Sequence, residues 1–573
     1  MLDFTKAIDK KTGQPYIKTS ITGKHLLALP QLNKGTAFTQ DEREAFGLLG
    51  KLPHHIETLE EQVTRAYLQL SRYTSPLQKN IYLNNLHDKN HILFYKLLCE
   101  HLEELIPIIY TPTVGQAVQM FSKEYRQPRG LYISHTYQDN LETILKNRSN
   151  PNIDLIVVTD GEGVLGIGDQ GVGGMDIPVA KLMVYSACGG IDPSRTLPIF
   201  LDVGTDNVDL LNDPLYLGCR HNRIYADEYD KFMDKFIHAI HQYFPHAFLH
   251  WEDFGRNNAR RLLLAYQDTL CSFNDDIQGT GATTLAALLA AAHATNMPLT
   301  KHRFVIYGAG SAGMGIGDQI VDALVRLGVK RETAYQHFCL VDRQGLLTDS
   351  DPNLTPAQKP YARKQIEFQH WNQHNKNQLS LADTIKAFRP TVLIGCSAQA
   401  GHFTQDIITS MTTYCERPII FPLSNPDDKC EAKPVDILAW TKGHALVATG
   451  TAFDKVHLEN KILTIAQCNN ALIFPGIGLG VIAVQAKQVT DDMLWAAALA
   501  LSELSPIRED HFLPLLPSLC DAERIAKHVA RAVAQAAIDN KLALKHPKNL
   551  ENLINETYWK PDYLPFKRVK AGK

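Results

Sequence analysis

RFVIYGAGSAGMGIGDQIVDAL, residues 303–324, sets a strand, a glycine turn and a helix in immediate succession. The apolar run FVIY enters Gly308, Gly310 and Gly313 directly, and apolar residues at Ile316, Ile320, Val321 and Leu324 follow at helical spacing. In that context G-x-G-x-x-G holds a dinucleotide, because the helix N-terminus presents free N–H groups and a positive dipole end to the pyrophosphate. Gly308, Gly310, Ser311, Ala312 and Gly313 are therefore the expected cofactor-binding loop. The next strand-like run, HFCLVD, ends at Asp342, placed to accept from the ribose hydroxyls of the adenosine, although the interval is longer than the usual ~20 residues. Arg343 beside it can instead meet a 2′-phosphate; the carboxylate favours NAD over NADP.

Outward from this loop, TVLIGCS, RPIIFPLSNP and ALVATG alternate with helical stretches, which predicts a doubly wound, Rossmann-type NAD-binding domain over residues 276–468. Upstream, LYISHT, LIVVTD, LPIFLDVGT and AFLHWEDF are short apolar runs, most of them ending in acidic or glycine residues, as strands of a parallel sheet do. After Cys468 the helical pattern returns, and GIGLGVIAVQA is expected to pack back on this middle block. The catalytic α/β domain would then be discontinuous, residues 129–275 plus 469–538. Residues 1–128 read mainly helical, with LEEQVTRAYLQLSRY and HILFYKLLCEHLEELI showing three-to-four spacing, and residues 539–573 form a C-terminal extension. The fold class is α/β.

The 573 residues exceed a single core, which stops growing at roughly 250–300 residues. A formal net charge of -3 gives no electrostatic reason to expect nucleic acid or an anionic membrane. No apolar run approaches the ~20 residues of a membrane span, and the first residues lack a signal-peptide core. The ten cysteines include no C-x-x-C pair, which suits reduced thiols in the cytoplasm. Small molecules are the expected partners.

A second G-x-G-x-x-G lies in DGEGVLGIGDQGVGGMDIPVAK, residues 160–181, at Gly166, Gly168 and Gly171. Here the glycines interrupt an expected strand, VLGIG, so they read as a turn set or a close backbone approach. WEDFG supplies Glu252 and Asp253, and FNDDIQG supplies Asp275 and Asp276 before a helix. Hard cations such as Mg²⁺ or Mn²⁺ take carboxylate oxygens, so three carboxylates from two loops suit a catalytic metal. Neighbours on a strand face opposite ways, so Glu252 and Asp253 can both be ligands only where the strand has ended. On spacing alone the acids read as helix caps or solvated loops, Lys181 as a surface lysine and Tyr110 as a core tyrosine.

Taken together, IYTPTVG, VVTDGE, GIGDQGVGGM, WEDF, FNDDIQGT, GAGSAG, PLSNP and NNALIFPG occur in the order seen in malic enzymes and span almost the whole chain. The chain resembles that family. The resemblance implies a four-part subunit in a homodimer or homotetramer, a divalent metal, a nicotinamide dinucleotide, and oxidative decarboxylation of L-malate to pyruvate and CO₂. It implies Tyr110 and Lys181 as acid/base residues, Asp275 as the lysine's hydrogen-bond partner, and Glu252, Asp253 and Asp276 as metal ligands. Asn425 and Asn469 match family contacts to malate, and Asn425 also falls on the cofactor side.

Three departures stand out. The family's VTDGE continues with an arginine that clamps a malate carboxylate, and here position 163 is Gly163; Asp176 replaces a usual glycine; and WEDF is followed by Gly255 and Arg256. This set is similar to malolactic enzymes, which use NAD and Mn²⁺ to convert L-malate to L-lactate and CO₂ with no net redox. IYTPTVG around Tyr110 is of the malic kind. A non-catalytic dinucleotide sensor is the remote alternative. Arg256 is expected to replace the cation missing at Gly163, since malate's second carboxylate needs a charge-assisted donor.

Overall fold

The computed structural model describes residues 4–148, 150–368, 371, 379–458 and 461–570. Its contacts divide the chain into two compact units, residues 1–249 with 556–573, and residues 250–555.

The first unit opens on an antiparallel hairpin, Phe4–Ile8 with Pro15–Thr19, and the late strand Phe566–Arg568 pairs in parallel with Pro15–Thr19. This sheet interrupts the mainly helical reading of residues 1–128. Its residues Phe4, Ile17 and Phe566 cover a small core of Leu26, Leu32, Phe38, Phe46 and Leu48, a long-range closure that local periodicity does not display. The expected helices follow. Leu59–Leu70 starts at a capping box between Thr58 and Glu61, and Pro76–His87, His91–Glu100, Leu102–Ile109 and Thr113–Glu124 succeed it. Three expected strands then pair in parallel, with Thr196–Asp202 between Leu131–Ser134 and Leu155–Thr159. Helix Asp176–Gly189 packs on Leu155–Thr159 and Thr196–Asp202 and is buried from Ile177 to Gly189.

The second unit is built on seven strands in the order Gly345–Leu346, Phe338–Asp342, Phe304–Tyr307, Val392–Gly395, Ile419–Pro422, Leu446–Thr449, Ala466–Gln467. All neighbours are parallel except the first pair. Numbered along the chain, this is the 3-2-1-4-5-6 order of a dinucleotide fold, continued by a seventh short strand. The order reverses between Phe304–Tyr307 and Val392–Gly395, and ligands of open α/β sheets bind at that switch point. Helices Phe474–Val484, Asp491–Glu503 and Ala522–Asp539 group with this unit: Asp491–Glu503 packs on Thr280–Ala294, and Ala522–Asp539 packs on the other two. Asp491–Glu503 also touches helix Ser311–Arg326, which follows strand Phe304–Tyr307 of that sheet.

Candidate active site

The lysine of the opening glycine stretch is a core residue. Lys181 lies on the second turn of helix Asp176–Gly189, is 1% exposed, and holds its Nζ 4.8 Å from the centre of the Tyr110 ring. Tyr110 caps helix Leu102–Ile109, donates its N–H to Ile106, and is followed by Thr113–Glu124. Burial of an ammonium against an aromatic face is unexpected for a surface lysine and costly for one without a task.

The loop before that helix is not a strand at VLGIG. Val164 and Gly168 form an isolated antiparallel bridge around a tight turn, with Leu165 at φ 43°, Gly166 at 71° and Gly168 at 83°. Side chains at these two glycines would meet open space, so their service is conformational. Gly173 and Gly174 serve packing instead. A Cβ on Gly173 would lie 2.5 Å from the Val118 carbonyl oxygen, and one on Gly174 2.8 Å from the Gly161 Cα. The loop is held by Arg223, a residue the sequence did not single out. Its side chain is 1% exposed and lies 3.0 Å from Asp160, 3.3 Å from Asp169 and 3.9 Å from Glu162. Burial opposes its charge, but the carboxylates Asp160, Asp169 and Glu162 win and raise its pKa.

Strand Phe248–Trp251 stops one residue before Glu252, and Asp253 adopts φ 54°. The alternation of the strand is therefore broken where both carboxylates are needed on one side. Glu252, Asp253 and Asp276 bring oxygens within 4.8 Å of one another, two of the residues buried and Asp276 half-buried. The Asp253 N–H donates to Asp276 at 2.9 Å, joining the two loops. Asp275 and Asp276 open a π-helical turn, Asp275–Gly279, that leads into helix Thr280–Ala294. Such turns recur at functional sites. Gly279 is required there, since a Cβ would fall 1.8 Å from the Asp275 carboxylate. The neighbour of the expected Asn469 does part of the work: Asn470 donates to Asp275 at 3.1 Å and to the Thr280 hydroxyl at 3.0 Å, while Asn469 caps the turn by accepting from Ala471. His250, also unforeseen, contacts Glu252 at 2.5 Å and forms a second close triple with Glu252 and Asp275.

Two buried carboxylates and a half-buried one so close repel one another where water is largely withdrawn. An oxygen-only donor set suits a hard divalent cation, so Glu252, Asp253 and Asp276 fit Mg²⁺ or Mn²⁺.

At the switch point each glycine of the Gly308 loop has its own reason. Gly308, at φ 107°, would drive a Cβ to 2.4 Å from the Cys396 carbonyl oxygen on the neighbouring strand's loop; Gly313 would put one 2.0 Å from the Gly308 oxygen; Gly310 meets nothing within 4 Å. Those are the tight turn, the close helix packing and the open approach of a pyrophosphate loop. Helix Ser311–Arg326 begins with no side-chain cap, and Ser311 and Ala312 are half-buried. Asp342 ends the adjacent strand, and the Gly308 N–H donates to the preceding Val341 at 2.8 Å. Arg256 is exposed at the start of helix Arg256–Tyr266 and donates to the Ala309 carbonyl at 3.1 Å, as Gln358 does at 3.0 Å. Asn425 follows the strand Ile419–Pro422, and a Cβ on Gly450 would sit 2.9 Å from its side-chain oxygen.

Behind this rim, fully buried Glu431 accepts from the N–H and hydroxyl of Ser397 at 2.8 Å each and from the Ser424 hydroxyl at 2.6 Å. Ser424 in turn accepts from the Ala398 N–H at 2.8 Å. One carboxylate ties together the loops that follow two strands.

Two family models match the chain: "Malic enzyme, N-terminal domain" over residues 87–267 and "Malic enzyme, NAD binding domain" over residues 277–538. A protein of Shewanella sp. (strain MR-4) named NAD-dependent malic enzyme is 49% identical over 548 residues, 96% of this chain and 97% of its own. One of the same name from Salmonella dublin is 49% identical over 565 residues, 98% of this chain and 100% of its own. Among solved structures, the malic enzyme of Entamoeba histolytica superposes with a TM-score of 0.56 at 21% identity, covering 89% of this chain and 90% of that one. The malic enzyme of Pyrococcus horikoshii Ot3 gives 0.54 at 23% identity over 79% and 88%. Sequence match across nearly the full length, together with a shared fold, places the chain in the malic enzyme family.

Proposed function

We propose that the chain converts L-malate and NAD⁺ to pyruvate, CO₂ and NADH, as a cytoplasmic homodimer or homotetramer that requires Mg²⁺ or Mn²⁺. What supports the chemistry most is Lys181, 1% exposed with its Nζ 4.8 Å from the Tyr110 ring centre. Removal of the C2 hydroxyl proton needs a base of lowered pKa, and a lysine withdrawn from water is suited to that. Lys181 takes this proton, with Asp275 as its hydrogen-bond partner. Tyr110, assisted by Lys181, delivers a proton to C3 after decarboxylation. Glu252, Asp253 and Asp276 would hold the cation; Gly308, Gly310, Ser311, Ala312, Gly313 and Asp342 would hold the dinucleotide. When bound, the dinucleotide would supply a hydride acceptor for C2 and the cation a Lewis acid for the C2 oxygen.

Asn425 and Asn469 orient malate. Arg256 is assigned to its second carboxylate, since a guanidinium has five N–H donors and the Ala309 carbonyl takes one. No described helix is long and apolar enough to cross a membrane.

Gly163, Asp176 and Arg256 favour a second reading, retention of pyruvate and its reduction to L-lactate. One incubation with L-malate, NAD⁺ and Mn²⁺, in which NADH, pyruvate and lactate are quantified together, tests both. NADH and pyruvate in equal amounts are expected. Lactate without NADH would replace the first reading by the second, and no product at all would overturn both.

A further inference from the structure

The first unit contains a cavity of about 80 Å³ away from Lys181's own contacts, walled by helices Pro76–His87 and Thr113–Glu124, by residues 125–132 and by the start of helix Asp176–Gly189. The cavity's charged lining residues are Asp88, Glu124, Arg126, Arg129 and Asp176. Arg129 is engaged by Asp88 at 2.7 Å and by Asn84 at 2.6 Å, and Arg126 is paired with Glu124. Two neutral pairs leave one net negative charge, that of Asp176, which makes no hydrogen bond or ion pair among the described residues. Burial pushes its carboxyl up to about 6, with Arg129 pulling the other way.

Three aromatic rings line the same cavity. Phe121 is 5.7 Å from Tyr125 and 6.5 Å from Tyr132, centre to centre. A carboxylate left without a partner in a cavity lined by aromatic rings suits an ammonium ion carrying a short apolar chain: the charge would meet Asp176, and the carbons the rings and Met120.

We propose that this cavity is an effector site for a small alkylammonium ion. Its occupant reaches the chemistry through two walls: helix Thr113–Glu124 begins three residues after Tyr110, and helix Asp176–Gly189 carries Lys181. That second half rests on the acid/base roles proposed above; the binding half does not.

Calorimetric titration of the full chain at constant ionic strength tests the binding half without turnover. The probes are n-butylammonium and tetramethylammonium chloride, with n-butanol and sodium chloride as controls. Saturable binding of at least one cation, and of neither control, is expected. Asp176→Asn should weaken it by about ten-fold or more, the loss expected for a charge-assisted contact. Asp176→Gly, which restores the residue usual in the family, should do the same with the fold retained by circular dichroism. No saturable heat with either cation, or affinity unchanged in both variants, overturns the site. The coupling half is read in NADH formation from malate. The bound cation should change kcat or KM at least two-fold in the wild-type chain and leave Asp176→Gly unaffected, and equal kinetics with and without it would remove the effector role.

Discussion

Residues 160–174 and 308–313 carry the same glycine spacing and do unlike things with it. At Gly308 the strand Phe304–Tyr307 runs straight in and a 16-residue helix runs straight out, so the glycines serve a turn, an open approach and a helix contact. At Gly166 the chain bends back on itself through a single bridge, and the tight packing falls on Gly171, where a Cβ would lie 2.1 Å from the Tyr216 hydroxyl oxygen, and on Gly173 and Gly174 beyond the motif. The spacing names a backbone that must turn. What precedes and follows it determines whether a phosphate or a protein atom arrives there.

The comparison breaks most visibly at Lys181. Lys181→Ala should lower kcat for malate oxidation by about a thousand-fold while leaving NADH binding, read by fluorescence, unchanged. Lost NADH binding with surviving turnover would hand the nucleotide to the wrong loop. Next, Gly313→Ala forces a Cβ to 2.0 Å from a backbone oxygen. It should cost about 1–3 kcal/mol of stability, seen as a lower Tm, and raise the KM for NAD. Gly310→Ala, with nothing within 4 Å, should leave Tm in place and still raise the KM for NAD by about ten-fold. If Tm falls instead, Gly310 is a structural glycine and the open approach is misread. The smallest effect belongs to Gly166→Ala. At φ 71° it should cost about 1 kcal/mol of stability, seen as a slightly lower Tm, and leave the KM for NAD unaltered.

Much of this was legible from the chain alone because the signals are local. FVIY, HFCLVD and LIVVT are continuous apolar runs, and each became a buried parallel strand. The break in alternation at Glu252 and Asp253 was foreseeable for a similar reason, since Phe-Gly after WED ends a strand. What escaped was non-local. Strand Phe566–Arg568 joins a hairpin at the opposite end of the chain, and no periodicity announces such a partner. Arg223 looks like any loop arginine until three acids from a distant loop surround it, and Asn470 differs from Asn469 only in which way its amide faces. VLGIG has strand composition, but positive φ at Leu165, Gly166 and Gly168 requires a turn. Asp176 stands out in the chain as a departure from a usual glycine, but the cavity before it is formed by distant helices and is not legible there.

The Glu431 brace bears on how this protein could be re-engineered. Loops at the end of an α/β sheet are usually treated as exchangeable parts, each graftable from a relative with a different cofactor or substrate. Here Ser397 and Ser424 belong to separate loops and hang from one buried carboxylate. The Ala398 N–H is bound across the gap to Ser424. A graft of either loop alone would strip donors from an acid that has no water to replace them, so the unit of exchange is the pair of loops with Glu431 included.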